Sequence, residues 1–145
     1  MKKSIFKSIF ALAALLLIFT SCAKYDEGSN FSIFTAKARL VNSWTVDGAA
    51  YTSGSTTTQQ DASGTLTINK DGTYAAVITV NYPFFGNVTT NETGTWELNS
   101  DKDRLTATDA NGNITIYDIV LLKNKEMSFV ETLNNGDTVR YNFSS

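Results

Sequence analysis

The sequence predicts an all-β domain in which about eight antiparallel strands run up and down in chain order and close into a barrel. Three observations favour this class: segments in which every second residue is apolar, turn residues at short intervals, and a single proline in 145 residues. Closure removes exposed strand edges, and eight strands leave room inside for packed side chains or one small ligand. A two-layer β-sandwich is the alternative, with residues 48–63 and 81–91 as candidate crossing connections.

The N-terminus has the three zones of a secretory signal. Positive charge comes first, from Lys2, Lys3 and Lys7. An unbroken apolar run of 11 residues follows, and two small polar residues separate that run from Cys22. A membrane-spanning helix needs about 20 apolar residues, so this run is too short to cross a bilayer. Residues 1–21 are therefore predicted to be a signal peptide.

Cys22 is the only cysteine of the chain and directly follows Phe19, Thr20 and Ser21. This FTSC stretch resembles a bacterial lipobox, in which the cysteine becomes the first residue of the mature protein and its sulfur carries lipid. Phe19 replaces the leucine that is usual in that motif, and Ser21 replaces glycine or alanine. The resemblance implies a lipid tether at Cys22. An ordinary signal peptide followed by a chance cysteine is the alternative.

The residues just after the cysteine predict where the mature protein is located. Lys24, Asp26 and Glu27 resemble the export signal that follows the lipidated cysteine in surface lipoproteins of the Bacteroidetes, and a solvated linker with chance acids is the alternative. Residues 22–30 are predicted to be a flexible tether, and residues 31–145 the barrel domain. The expected location is the bacterial outer membrane, with the lipid-anchored domain in the periplasm or at the cell surface.

The barrel domain is predicted to open with a short helix and to continue as strands joined by tight turns. Phe31, Phe34, Ala38 and Val41 recur at roughly helical spacing. The NKDG stretch at 69–72 can supply the positive φ of a tight hairpin. The predicted strands cover 39–48, 64–68, 73–80, 93–98, 104–108, 114–122, 126–133 and 138–143.

Four stretches of strand and turn residues carry a family resemblance. They are LVNSWTVDG at 40–48, GTLTINKDGTYAA at 64–76, TGTWELNSDKDRLTAT at 93–108 and YDIVLLKNKEMSFV at 117–130. Together they resemble the lipocalin-like domains of many Bacteroidetes lipoproteins, which implies a barrel that could hold a small apolar molecule. Trp44 stands where lipocalins have the tryptophan of Gly-x-Trp, while Asn42 replaces the glycine. In lipocalins a late arginine packs over that tryptophan; Arg140 could do so here, or it could be a surface arginine.

Large side chains on the inward side of the strands are the candidate ligand-binding residues. They are Trp44, Tyr74, Ile78, Trp96, Phe129 and Tyr141. The NYPFFGN loop gathers Tyr82, Phe84 and Phe85 around the only proline, although loops are usually polar. These three residues are expected to fold inward as a plug, or to act as a lid, a partner contact or a membrane contact.

The composition argues against catalysis and nucleic-acid binding. The chain has no histidine and its one cysteine is assigned to lipid, which excludes thiol–imidazole catalysis. Acids such as Glu92 and Glu97 are expected to be solvated charges at strand ends rather than a catalytic pair. After removal of residues 1–21, nine basic and 14 acidic residues leave a net charge of −5, so no basic surface is available for nucleic acid. No catalytic residue and no cofactor is predicted.

Two short motifs complete the search for sites. The DANGN segment at 109–113 offers oxygen ligands at alternate positions, but its glycine is the fourth residue. An EF-hand loop needs glycine at about the sixth position and glutamate at about the twelfth, so a turn is predicted and not a metal site. The DTV segment at 137–139 resembles the O-glycosylation motif of exported Bacteroidetes proteins, which implies Thr138 as the acceptor.

The expected function is the binding or carriage of a small apolar ligand by a membrane-anchored lipoprotein without enzymatic activity. The lipidated Cys22 would supply the membrane contact, and the barrel interior would supply the ligand contact. The alternative is an interaction module, an accessory subunit or inhibitor, that binds a protein partner through its loops.

Overall fold

The computed structural model describes residues 34–82 and 86–145, which form one short helix and nine strands. The helix α1 covers Ala36–Leu40. The strands are β1 (Asn42–Ser53), β2 (Thr56–Gln60), β3 (Ala62–Ile68), β4 (Thr73–Tyr82), β5 (Gly86–Leu98), β6 (Arg104–Asp109), β7 (Ile114–Leu122), β8 (Glu126–Thr132) and β9 (Thr138–Ser144). The signal peptide, Cys22 and the tether lie outside the described residues.

The strands from β3 to β9 pair antiparallel in chain order, and β1 closes the ring. One edge of β1 pairs with β3, where Trp44 lies opposite Leu66. The other edge pairs with β9, where Ala49 lies opposite Tyr141. Every strand from β3 onward pairs with its neighbours in sequence, so eight strands form a closed antiparallel barrel. The predicted up-and-down barrel is confirmed, and the alternative of two stacked sheets is wrong.

The two stretches that could have crossed between stacked sheets are hairpins instead. β1 turns at Gly54, which has a φ of +57°, and returns as β2, with Ala49 opposite Gln60. β4 pairs with β5 along its full length, from Thr73 opposite Thr95 to Tyr82 opposite Gly86. The polar segment after β1 is therefore a strand at the end of the sheet order. Its three threonines and two glutamines are mostly exposed.

Turn chemistry places the hairpins where the sequence predicts them. Gly72 has a φ of +90° and its backbone N–H donates to the Asn69 carbonyl at 3.2 Å. The Asp71 carboxylate accepts from the Thr73 backbone N–H at 2.9 Å. The Asp109 carboxylate accepts in the same way from the backbone N–H groups of Asn111 and Asn113. The DANGN segment is thus a turn held by its own first residue.

The helix α1 covers the end of the barrel where β1 begins, called here the closed end. Thr35 caps the helix, since its hydroxyl accepts from the Ala38 backbone N–H at 3.1 Å. The buried residues are Ala36 and Leu40, whereas Phe34 and Ala38 of the predicted apolar face are exposed. The predicted face is wrong because a helix of five residues has too few turns for residue spacing to define a face.

The closed end of the barrel is packed solid. Trp44 and Leu40 are fully buried, and the Trp44 Nε1–H donates to the Leu40 carbonyl at 2.9 Å. That bond satisfies the indole donor and one of the carbonyls that a helix leaves unpaired at its C-terminus. Above this layer the Phe129 and Phe143 rings meet edge to face, with centroids 5.7 Å apart.

Two glycines inside strands allow the backbones of neighbouring strands to approach closely. A Cβ on Gly64 would lie 1.9 Å from the carbonyl oxygen of Val77. A Cβ on Gly94 would lie 2.0 Å from the carbonyl oxygen of Thr108 and 2.9 Å from the Tyr74 ring. Because both obstacles at the carbonyls are backbone atoms of paired strands, they cannot move without breaking the ladder.

Replacement of Gly94 by alanine is expected to lower the free energy of unfolding by about 2 kcal/mol or more, because the added methyl group overlaps the β6 backbone. Urea denaturation of the purified protein measures this loss. Thr95→Ala on the exposed side of the same strand is the matched control and should cost less than about 1 kcal/mol. Equal losses in both variants would show that Gly94 is not constrained by packing.

Candidate functional site

The candidate site is a cavity of about 130 Å³ inside the barrel. Its apolar wall includes Ile68, Ala76, Ile78, Val80, Leu105, Ala107, Phe129 and Phe143. Its polar groups belong to Tyr74, Tyr82, Thr90, Glu92, Tyr117 and Tyr141. Glu92 lies directly opposite Ala76, and Ile78 and Val80 continue β4 toward the open end, so this carboxylate lies among apolar side chains.

Most of the residues predicted to face a ligand lie on the cavity wall. They are Tyr74, Ile78, Trp96, Phe129 and Tyr141, together with Tyr82 from the predicted loop set. Trp44 is the exception, since it is fully buried at the closed end beside Leu40 and does not line the cavity. Phe84 and Phe85 lie outside the described residues, so their predicted role at the barrel mouth stays a prediction.

Trp96 forms part of the cavity base, and its polar group is satisfied. The indole N–H donates to the Asn69 carbonyl at 3.0 Å. The Lys37 ammonium of α1 lies 5.5 Å from the centroid of the Trp96 ring, within the range of a cation–π interaction. The helix thus supports the closed side of the cavity through both tryptophans, Trp44 by a hydrogen bond and Trp96 by this contact.

Glu92 is a cavity residue that sequence reasoning assigned wrongly. It was expected at a strand end in solvent, but β5 begins at Gly86, so Glu92 lies in the middle of the strand. Trp96 and Gly94 have the same parity along β5, and this parity directs Glu92 into the barrel. The signal was present in the sequence, but the polar residues at 86–92 conceal the start of the strand.

Glu131 is a second carboxylate near the cavity. It lies on β8 two residues beyond the buried Phe129, opposite Tyr117 of β7 and Val139 of β9. Its parity directs it inward at the rim, and it also borders an outer groove of about 510 Å³ beside Ile116 and Leu133. The sequence carried this signal as well, because Met127, Phe129 and Glu131 alternate along one side of β8.

Burial favours the uncharged forms of Glu131 and of three tyrosines around the cavity. Burial raises the pKa of Glu131 above its ordinary range, and the nearby negative charge of Glu92 raises it further. Burial also raises the pKa of Tyr117 and Tyr141, with the Glu131 carboxylate as the next cause in both cases. For Tyr74 the cause is again burial, followed by the charge of Glu92 and by a hydrogen bond between the two side chains. Glu92 and Glu131 are thus the sources of negative potential around the cavity.

No cation from the described part of the chain compensates these carboxylates. The cavity wall contains neither lysine nor arginine. The ion pairs within residues 34–82 and 86–145 join Arg104 to Asp118 and Lys123 to Glu126, and all four side chains are exposed to solvent. Glu92 therefore has a hydrogen bond to Tyr74 but no cationic partner on the cavity wall.

Arg140 does not reach Trp44, the residue that a late arginine covers in lipocalins. It lies opposite Ala50 of β1, six residues along that strand from Trp44, a separation of about 20 Å. Its Nε–H group donates to the Asn142 side chain at 3.2 Å. Of the two alternatives left open by the sequence, the packing of Arg140 over Trp44 is therefore wrong. Arg39 of α1 lies at the closed end, and its guanidinium donates to the Leu122 carbonyl.

Thr138, the predicted glycosylation acceptor, is half-buried at the start of β9, between Thr52 and Thr132 of the neighbouring strands. The Asp137 carboxylate beside it accepts from the Tyr51 hydroxyl and from the Asn135 amide. Glycosylation at Thr138 stays a prediction.

A metal site and a membrane-spanning helix are two further features that the described residues could contain. Within residues 34–82 and 86–145, no three His, Cys, Asp or Glu side chains come close enough together to hold a metal ion. The same ranges contain no helix with the length and hydropathy needed to cross a membrane.

Replacement of Glu131 by glutamine is expected to raise the free energy of unfolding at pH 7. The folded-state pKa of Glu131 lies above its unfolded value, so the cost of the charged form is complete above the folded pKa. That cost disappears below the unfolded value of about 4.3, where both states are protonated. Urea denaturation at pH 7 and pH 4 should show a gain only at the higher pH. Glu97→Gln, on the exposed side of β5, is the control; a gain at both pH values, or the same gain in the control, would contradict the assignment.

The comparisons with known proteins add only a likeness of fold. No protein-family model matches the chain, and no curated protein matches it either. Among solved structures, a redesigned β-barrel is 13% identical with a TM-score of 0.47, over 79% of this chain and 98% of that chain. A de novo designed fluorescence-activating β-barrel is 11% identical with a TM-score of 0.47, over 77% of this chain and 98% of that chain. At this identity and TM-score the likeness carries no argument about function, and the barrel assignment rests on the strand pairing.

Proposed function

We propose that the protein is a lipid-anchored binding protein, without enzymatic activity, whose barrel holds a small and mainly apolar molecule. The observation that carries this proposal is the interior cavity, because a protein interior is normally close-packed and leaves few voids larger than a water molecule. A cavity with an apolar base and a few polar groups at one side is the usual form of a small-molecule site.

The volume of the cavity limits the size of the ligand. The space is about 130 Å³, and an engineered apolar cavity of about 150 Å³ in another protein is known to bind benzene. Pockets for drug-sized molecules measure about 300–1,000 Å³. The enclosed part of the ligand is therefore about as large as one aromatic ring or a short branched chain. A longer molecule would have to extend out past Tyr82 and Val88.

The lipid anchor is proposed from the N-terminal sequence. A short apolar run preceded by lysines ends in the lipobox-like FTSC stretch, and a thiolate is readily alkylated. Each buried CH₂ of an attached acyl chain contributes about 0.8 kcal/mol of membrane affinity, so two or more chains give a stable anchor. The proposed location is the bacterial outer membrane, facing the periplasm or the cell surface. The family proposed is that of the lipocalin-like lipoproteins of the Bacteroidetes.

Replacement of Cys22 by serine is expected to abolish lipid attachment, because serine offers no thiolate for alkylation. Cells grown with radiolabelled palmitate should label the natural protein in the membrane fraction and should not label the variant. Ser21→Ala, which keeps the thiol and brings the motif closer to the usual lipobox, is the control and should remain labelled. A labelled, membrane-bound Cys22→Ser protein would contradict the proposed anchor.

Replacement of Ala76 by phenylalanine is expected to abolish binding of an apolar probe, because Ala76 lines the cavity and a benzyl group would occupy the space. Titration with toluene, followed by chemical shifts of the protein, measures the binding. Ala75→Phe places the same side chain on the exposed face of β4 and should bind toluene as the natural protein does.

A milder variant, Ala107→Leu, should weaken toluene binding if Ala76→Phe fails to fold, since Ala107 also lines the cavity. Absence of binding by the natural protein of toluene and also of phenethylamine, 2-phenylethanol and 3-phenylpropanoate would overturn the proposed function. So would undiminished binding by a folded cavity-filled variant.

A further inference from the structure

We infer that the ligand of this cavity is a cation: a small amine whose apolar body fills the base of the barrel and whose ammonium group lies at Glu92, with Glu131 at the rim as the second carboxylate. The inference rests on the proposed function and specifies the class of ligand. It depends on the placement of acidic groups that have no cationic partner at a mainly apolar cavity.

The first step is the combination of apolar and polar groups on the cavity wall. Most of the wall consists of aliphatic and aromatic side chains such as Ile68, Leu105 and Phe143. The Glu92 carboxylate belongs to the same wall and lies directly opposite Ala76. A ligand that matches this wall has a compact apolar part and one polar group placed to meet the carboxylate.

The second step is the sign of the charge. A carboxylate removed from water costs free energy unless a hydrogen-bond donor or a cation compensates it. Glu92 lies in the cavity wall, and Glu131 lies opposite Tyr117, another residue of that wall. The wall contains no lysine or arginine, and the Tyr74 side chain is the hydrogen-bond partner of Glu92. An anionic ligand such as a fatty acid would add a third negative charge. A neutral apolar ligand would displace water from the carboxylates without supplying a hydrogen-bond donor or a positive charge. A cation compensates both.

The third step is the kind of cation. An ammonium group has three N–H donors and no acceptor. The side chains of the cavity wall offer acceptors only in the Glu92 carboxylate and the hydroxyls of threonine and tyrosine. Aromatic rings beside the site, including Tyr117, can also attract a positive charge. Calcium prefers six to eight oxygen ligands, and the described residues bring no three acidic side chains together here. An organic amine fits these groups better than a metal ion does.

The fourth step is size. With about 130 Å³ enclosed, one aromatic ring fills the base. A chain of one or two carbons on the ligand's ring then brings its amine to the Glu92 carboxylate. Phenethylamine has this shape and is protonated at neutral pH, so it is a suitable probe. The neutral 2-phenylethanol and the anionic 3-phenylpropanoate have the same ring and nearly the same size.

The test is calorimetric titration of the protein with these three probes at pH 7 and low salt. Phenethylamine should bind at least about tenfold more tightly than 2-phenylethanol, and 3-phenylpropanoate should bind most weakly. Equal affinities for phenethylamine and 2-phenylethanol, or tighter binding of the anion, would overturn the inference while leaving the proposed function in place. Absence of binding by all three probes and by toluene would overturn the proposed function instead.

Three variants locate the interaction. Glu92→Gln and Glu131→Gln should each reduce the preference for phenethylamine over 2-phenylethanol by about fivefold or more. Glu97→Gln removes the same charge from the exposed face of β5 and should leave the preference unchanged. An equal reduction in all three variants would indicate attraction by the general surface charge and would overturn the inference.

The cavity-filled variant excludes the outer groove as the site. Glu131 borders that groove as well as the rim, so an amine bound outside the barrel could also respond to Glu131→Gln. Ala76→Phe blocks only the interior, and phenethylamine binding should be lost in this variant. Retained binding would place the amine in the outer groove and would overturn the inference. Melting temperatures verify that all variants fold. If Glu92→Gln does not fold, the loss of preference is measured with Glu131→Gln alone, which is expected to be more stable than the natural protein.

Discussion

The pairing of β1 with β9 is the constraint on which the rest of the structure depends. β1 is bonded along both edges, to β9 on one side and to β3 and β2 on the other. Because the first strand meets the last, the inward residues of all eight strands surround one space, and no long strand edge is left within the ring. A register shift between Val46 and Gly48 bends β1 so that its two halves can serve different partners.

Closure also divides the interior into two regions with different physical roles. At the closed end, α1 and the Trp44 indole fill the space, and the hydrogen bond to the Leu40 carbonyl satisfies the polar groups buried there. Next to this packed end, the cavity wall holds tyrosines and a carboxylate among apolar side chains. A fully apolar filling would be more stable there, because a void and carboxylates without a cationic partner both cost free energy. Departures of this kind from stable packing are expected where a protein binds something.

Local patterns predicted much of this fold and part of the site. The NKDG turn, the alternating strands and inward residues such as Trp96 and Phe129 were all readable from the chain, because each depends on a few neighbouring residues. The beginning of β5 was not readable, since polar residues at 86–92 give no apolar alternation. The helix face at Phe34 was wrong for a related reason: five helical residues contain too few turns for spacing to define a face. The likeness to designed barrels leaves these conclusions unchanged.

Sequence alone thus establishes the alternation of each strand, the positions of the tight turns and the acidic balance of the chain, and it supports the expectation of a lipid tether at Cys22. These properties are local or compositional, so no knowledge of distant contacts is needed. The cavity and the carboxylate in its wall follow only from the three-dimensional pairing. Glu92 and Glu131 lie 39 positions apart on strands that are not neighbours. They belong to one interior because the ring closes and the alternation of each strand directs both side chains inward.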